Sequence, residues 1–160
     1  MAYTVFYMKL LPKETFLALA RGSEGANMFR SLFADPEDGS AIDILKDGQV
    51  SCAFYVSSLL VLVSQLPTPH ATVSGLEKKL QEKGWEAISD PIPGSILFWV
   101  SQKQADGDPH EHVGIYLGND EAISHSDKAL TPTRHHYTFG GTRETPGRAI
   151  RAIYTHKFLS

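Results

Sequence analysis

The chain of 160 residues contains a single cysteine, Cys52, whose side chain could act as a nucleophile. It lies in the segment KDGQVSCAFYVSSLLVLV, residues 46–63. Apolar residues recur there at helical spacing and share one face: Cys52, Val56, Leu59 and Val63. Ser51 is suited to cap this helix, so the thiol would lie in its first turn, where the helix dipole lowers a thiol pKa. The alternative is that Cys52 is a small apolar core residue.

A cysteine nucleophile needs a base within hydrogen-bond reach, and the base needs a polar partner that orients it. His112 opens the alternating segment HVGIYLG, which predicts a strand with Gly114 and Tyr116 on the same face as the imidazole. Gly114 leaves room beside the ring. We therefore expect Cys52 and His112 to meet across an open cleft, with His112 as an ordinary surface residue as the alternative.

Three segments then resemble a known superfamily. SCAFYVSSLL, PGSILFW and HVGIYLGNDEAIS, in this order and at these separations, are similar to the NlpC-type branch of the papain-like cysteine peptidases and amidases. The similarity extends from Cys52 to Tyr154. It implies a papain-like fold in which Cys52 is the nucleophile and His112 the general base. It also implies a peptide or amide substrate, with cell-wall peptides as one class, and no cofactor.

In that superfamily the third polar residue lies on the next strand, about a dozen positions after the base. A gapless count from His112 reaches Ser124, and His125 follows on the opposite face. A bulge or longer turn at GNDE would bring His125 round, and its imidazole can donate or accept, so we expect His125 to be the third catalytic residue. Four further residues are expected to contact substrate: Ser51, His110, Ser124 and His136.

The histidines also leave a metal-dependent alternative open. His110 and His112 point the same way on one predicted strand, and with His125, His135 or His136 they could bind zinc. The sequence has no His/Glu helix motif and no second thiolate, so we expect no metal. A zinc-dependent hydrolase and a non-catalytic papain-like binding module remain the two alternatives to a cysteine hydrolase.

The elements that must position these residues follow from changes in hydrophobic period. Residues 13–34 carry helix-period positions on both sides of RGSEG, and the segment ATVSGLEKKLQEKGW predicts a helix with Leu76 and Leu80 inward and Gly84 at its end. The period then changes to that of strands in IPGSILFWV, HVGIYLG, EAISHS and RAIRAIYTHKF, with TRHHYTFGG as a loop. Helices followed by an antiparallel sheet indicate the α+β class.

Length, charge and hydropathy limit the number of domains, the class of partner and the location of the protein. The length predicts one domain over 1–160, with a helical N-terminal region at 1–45 and the catalytic core at 46–160. The net charge is −3 and the basic residues are scattered, which argues against a nucleic-acid partner. The N-terminal segment has no basic leader, and the longest apolar run is too short to span a bilayer. We expect a soluble, cytoplasmic protein.

Overall fold

The computed structural model of the chain describes residues 8–103 and 107–160. That part of the chain contains three α-helices, a two-stranded sheet and a six-stranded sheet, and the helices pack against the six-stranded sheet, which confirms the α+β class. Residues 1–7, the start of the segment in which no leader was expected, lie outside the described residues.

Among the described residues, three α-helices precede the larger sheet: α1 over Pro12–Gly22, α2 over Cys52–Leu62 and α3 over Val73–Glu82. The predicted apolar face of α2 is buried, and so are Ala53, Tyr55, Ser57 and Leu60 on its other sides, which makes it the central helix of the core. In α3, Leu76 and Leu80 are fully buried as expected, and Gly84 follows with a positive φ of 81°.

The described part of the region 1–45, residues 8–45, is less helical than predicted. After α1 it contains a 3₁₀ turn at Asn27–Phe29 and a hairpin of two short strands, β1 at Phe33–Ala34 and β2 at Ile42–Asp43. The loop between these strands is stabilised by Asp35, whose carboxylate accepts hydrogen bonds from two backbone N–H groups. This turn chemistry favours a hairpin over a second helix.

The larger sheet is antiparallel and follows α3 in the chain. Its strands are β3 at Glu86–Ala87, β4 at Ile96–Lys103, β5 at Pro109–Gly118, β6 at Glu121–His125, β7 at Pro132–His136 and β8 at Ile150–Thr155. Their spatial order is β3-β8-β4-β5-β6-β7, so β5 lies inside the sheet between β4 and β6.

Alternation along the strands separates two apolar layers. The layer shared with α2 includes Val113, Ile115, Leu117 and Ile123. The layer on the other face consists of Leu97, Trp99, Tyr116, Ala122 and Ile153. Because neighbouring strand residues point to opposite faces, His112 and Ser124 belong to the second face and His125 to the face of α2.

Strand β7 corrects one prediction. The residues TRHH were expected in a loop, yet they form a strand paired with β6, with Ser124 opposite Thr133 and Ala122 opposite His135. Pairing satisfies the backbone groups of β6 that would otherwise lie unpaired at the sheet edge. It also places His135 beside Ser124.

None of the helices in residues 8–103 and 107–160 combines the length and apolar character needed to cross a membrane.

Candidate active site

Cys52 is the first residue of α2, as the sequence predicted. Ser51 precedes it as the N-cap residue, but its hydroxyl makes no cap hydrogen bond and has no partner among the described residues. Cys52 is 8% exposed, and the backbone N–H of Val113, the residue after His112 in β5, is close enough to the thiol to lower its pKa. The helix start thus lies against the strand that carries the candidate base.

The pKa of the Cys52 thiol is raised, whereas its position at a helix start predicted a lowered value. Burial raises the pKa of Cys52 to about 11. The backbone N–H groups of Val113 and Ala53 and the charge of Arg148 act in the opposite direction without overcoming burial. Removal of the thiolate from water therefore outweighs the helix N-terminus, and the resting group is a neutral thiol.

His112 begins a chain of hydrogen bonds through three side chains. Its Nε2 atom lies 2.8 Å from the Ser124 hydroxyl oxygen, and that oxygen lies 2.8 Å from Nε2 of His135. Nδ1 of His135 is in turn 2.8 Å from the carbonyl oxygen of His136. All members lie on β5, β6 and β7, so the sheet register holds them together.

The direction of this chain follows from its last acceptor. A carbonyl oxygen can only accept, so Nδ1 of His135 donates, and Nε2 of the neutral ring accepts from the Ser124 hydroxyl. The oxygen of Ser124 then accepts from Nε2–H of His112. His112 is consequently left with an unprotonated Nδ1, the nitrogen that can act as a base.

Both imidazoles are neutral in this arrangement. Burial, followed by the charge of Arg148, holds the pKa of His112 well below its usual value, and burial lowers the pKa of His135. Nδ1 of His112 is buried and has no hydrogen-bond partner among the described residues. Buried acceptors normally receive a hydrogen bond, and none of the described residues donates one to this nitrogen.

Aromatic rings and a glycine hold the relay in place. Trp99 and Phe139 lie 5.6 and 5.8 Å from the His112 ring, centroid to centroid, and Phe139 stacks on His135 at 3.9 Å. A Cβ atom at Gly114 would lie 2.7 Å from the carbonyl oxygen of Ile123 and 2.8 Å from Cβ of Ser124. The room that was expected beside the imidazole is thus occupied by the backbone and side chain of β6.

Cys52 and His112 line different clefts. Cys52 lies in a cleft of about 460 Å³ formed by the residues before α2, the start of α3 and the start of β5, including His110 and Glu111. His112 lies in a second cleft of about 430 Å³ with Ser124 and His135. The backbone of β5 near Val113 therefore stands between the two openings, and the expected single open cleft is not observed.

His125, the expected third catalytic residue, does not contact His112. It lies on the opposite face of β6, 6.4 Å from the ring of Tyr55 and against Gly48. Neither of its ring nitrogens has a hydrogen-bond partner among the described residues. A register shift does occur between Tyr116 and Gly118, but the side chain that points toward His112 is still that of Ser124.

The expected substrate-contacting residues are distributed over several places. His110 lines the cleft that contains Cys52, and Ser124 lines the cleft that contains His112. Ser51 is only 1% exposed. His136 ends β7, bonds its Nδ1 to the hydroxyl of Thr138 at 2.7 Å and contributes its carbonyl oxygen to His135.

The zinc alternative required three ligands in proximity. Within residues 8–103 and 107–160, no group of three or more His, Cys, Asp or Glu side chains is arranged to hold a metal ion.

Two residues of the site were not identified from the sequence in these roles. His135 was considered only as a zinc ligand, and its link to Ser124 depends on the pairing of β7 with β6. Arg148 lies just before β8, is 7% exposed, and acts electrostatically on both Cys52 and His112. Neither role had a signal in the sequence, because each depends on contacts between residues that are distant in the chain.

Comparisons with known proteins add no identification. The sequence matches no model of a known protein family and no curated protein.

Proposed function

We propose that the protein is a cysteine hydrolase of the papain-like, NlpC-type kind that cleaves an amide or peptide bond, with cell-wall peptides as a substrate class. Cys52 is the nucleophile and His112 the general base. Ser124 and His135 are positioning residues that hold the base in one tautomer. This assignment replaces His125 with Ser124 as the third member of the site.

The observation that carries the proposal is the fixed tautomer of His112. The relay from His112 to the carbonyl of His136 leaves Nδ1 unprotonated, buried and unpaired among the described residues. The thiol meanwhile contacts the backbone N–H of the residue after His112. A base with a single available nitrogen is one of the two groups that nucleophilic catalysis requires, and a helix-start thiol is the other. The two groups open into different clefts, so the proposed attack requires Nδ1 of His112 and Sγ of Cys52 to approach each other across β5.

The chemistry follows from the two pKa shifts. Because the thiol and the imidazole are both neutral at rest, proton transfer from Sγ to Nδ1 of His112 accompanies attack on the substrate carbonyl. The imidazolium then gives this proton to the leaving amine, and an acyl group remains on Cys52. Water attacks the thioester with His112 as base, which releases the acid and restores the thiol. The backbone N–H groups at the start of α2 are suited to stabilise the oxyanion.

Acylation by p-nitrophenyl acetate at pH 7 tests this mechanism. We expect stoichiometric acylation of Cys52, located by mass spectrometry, and no acylation of Cys52→Ser. His112→Ala should lower the acylation rate by about 10²-fold, the lower range for loss of a general base. The matched control is His156→Ala, which removes an imidazole that stacks on Trp85 and takes no part in the relay.

Equal acylation rates in the parent protein, His112→Ala and His156→Ala would contradict the proposal. Circular dichroism of each variant separates loss of the base from loss of fold. Because acylation reports on the thiol and base alone, it does not depend on knowing the natural substrate.

A second candidate function is a non-catalytic papain-like binding module. It is favoured by the pKa of about 11 at Cys52, and by the separation of the thiol and imidazole into two clefts. In that case the thiol packs as a small apolar group. Acylation would then be no faster than that of a free thiol, and Cys52→Ala would leave ligand binding unchanged.

A further inference from the structure

Arg148 carries a buried charge whose hydrogen bonds go to neutral carbonyl groups. Its side chain donates from Nε to the carbonyl oxygen of Val100 at 2.9 Å and from Nη2 to that of His110 at 2.7 Å. Neither of these hydrogen bonds goes to a carboxylate, and Asp127 in the same cleft acts on the guanidinium through its charge. The residue is 7% exposed.

A buried cation that is hydrogen-bonded to neutral groups is unusual, because desolvation of a charge is costly unless an opposite charge in close contact compensates it. The carbonyl bonds fix the orientation of the guanidinium, and the ring of Phe139 lies 6.0 Å from its Cζ atom. Burial lowers the pKa of Arg148, and the charge of Asp127 acts in the opposite direction without overcoming burial. An anion in hydrogen-bond contact with the guanidinium would compensate the remaining charge.

Arg148 lines the cleft of about 430 Å³ that also contains His112 and His135. Lys103 and Lys128 lie at the exposed rim, and one carboxylate, Asp127, also lines the cleft. Three cationic side chains thus face one acidic side chain, and the neutral polar groups of Gln102, Ser126 and Thr133 complete the lining. The cleft attracts anions and offers hydrogen-bond donors to hold them.

We propose that this cleft is a carboxylate-binding subsite, in which Arg148 at the base and Lys103 and Lys128 at the rim bind a carboxylate of the substrate on the His112 side of the scissile bond. That the carboxylate belongs to the substrate rests on the proposed function; the anion site itself does not. A single buried guanidinium matches a monoanion better than a dianion, and its planar geometry matches that of a carboxylate.

An NMR titration of the full chain tests the site directly. The probes are N-acetylglycine, which carries a carboxylate, N-acetylglycinamide, its neutral counterpart, and inorganic phosphate. N-acetylglycine should shift the Nε–H signal of Arg148 and the ring signals of His135 saturably, and the amide should not. Equal shifts with the amide, or tighter binding of phosphate than of N-acetylglycine, would overturn the carboxylate assignment.

The rim is tested with lysine variants, because removal of Arg148 risks the fold. Lys103→Gln with Lys128→Gln should weaken N-acetylglycine binding roughly tenfold, as expected for loss of charge-assisted contacts. The control pair, Lys78→Gln with Lys157→Gln, removes the same charge from exposed positions outside the cleft and should leave binding unchanged. Equal weakening in both pairs would reduce the site to a general charge effect and refute it.

The role in substrate recognition has its own measurement. The p-nitrophenyl monoester of succinic acid carries a carboxylate, and p-nitrophenyl acetate does not. The ratio of their kcat/KM values should exceed that for a free thiol and should fall about tenfold in the rim pair but not in the control pair. An unchanged ratio refutes the substrate role.

The two proposals fail separately. Repeating the titration on Cys52→Ser protein measures anion binding without the nucleophile. Loss of acylation with intact N-acetylglycine binding would reject the enzyme and keep the anion site. Intact acylation without saturable binding would reject the anion site and keep the enzyme.

Discussion

At the scale of single residues, the side chain that orients His112 is a serine whose own orientation is set by a second histidine. A serine hydroxyl can donate or accept, so by itself it does not select a tautomer. Because Nδ1 of His135 donates to a carbonyl oxygen, Nε2 of His135 accepts from the Ser124 hydroxyl. The Ser124 oxygen can then accept from Nε2–H of His112. Three hydrogen bonds thereby determine which nitrogen of His112 is basic.

Ser124→Ala should release this constraint. We expect the ¹⁵N ring signals of His112 to change from an Nε2–H tautomer to a mixture of both tautomers. Acylation of Cys52 should fall by about tenfold to a hundredfold, as when other partners that orient a functional imidazole are removed. Ser89→Ala, at an exposed hydroxyl bonded to Asp90, is the control. An unchanged His112 tautomer in Ser124→Ala would contradict the positioning role.

At the scale of secondary-structure elements, the site depends on the close approach of β5 and β6 at Gly114. Only a residue without Cβ fits there, because the carbonyl oxygen of Ile123 belongs to the backbone and cannot rotate away. The same approach brings Ser124 into hydrogen-bond range of His112. Gly114 therefore couples the packing of the strands to the geometry of the relay.

Gly114→Ala should destabilise the fold by about 1–3 kcal/mol, the usual cost of overpacking, and disturb the His112–Ser124 bond. Urea unfolding measures the first effect and the ring signals of His112 the second. Gly22→Ala is a matched control, because a Cβ there meets nothing within 4 Å at the end of α1. If Gly114→Ala is as stable as Gly22→Ala, the close approach is not a constraint.

At the scale of the whole molecule, stability depends on a histidine that the catalytic proposal does not use. His125 is 2% exposed between β6 and α2, near Tyr55 and Gly48, and its two ring nitrogens lack partners among the described residues. Burial, assisted by the charge of Arg30, lowers the pKa of His125 from 6.5 to about 4. The folded state therefore requires this ring to be neutral.

Folding stability should consequently fall in acid. Because the folded pKa lies below the unfolded value, the unfolded chain binds more protons between these values. The contribution of His125 to the free energy of unfolding is therefore complete above pH 6.5 and decreases as the pH falls toward 4. His125 accounts for roughly 2–3 kcal/mol of this loss, and burial of His112 acts in the same direction.

Urea unfolding at pH 7.5 and pH 4.5 measures this loss. His125→Phe keeps an aromatic ring beside Tyr55 and removes the titrating group, so its stability should vary less with pH. His70→Phe is the control, because His70 is only partly buried. Parallel pH dependence in the parent protein and His125→Phe would contradict the assignment.

Much of the framework was predictable because it depends on local periodicity. The first residue of α2, the inward positions of α3 and the strands β4, β5, β6 and β8 follow from apolar spacing. The count of positions from His112 also reached Ser124, and the alternation of strand side chains already placed His125 on the other face. The preference for His125 was a chemical argument that required a favourable bulge, and the actual register did not supply it.

The sequence by itself determined the α+β order, the position of Cys52 at a helix start and the face on which His112 lies, because each depends on residues a few positions apart. The tertiary structure decided the tautomer of His112, the raised pKa of Cys52 and the buried charge of Arg148. These properties arise from burial and from hydrogen bonds between residues distant in sequence, and desolvation depends on everything packed around a group rather than on its neighbours in the chain.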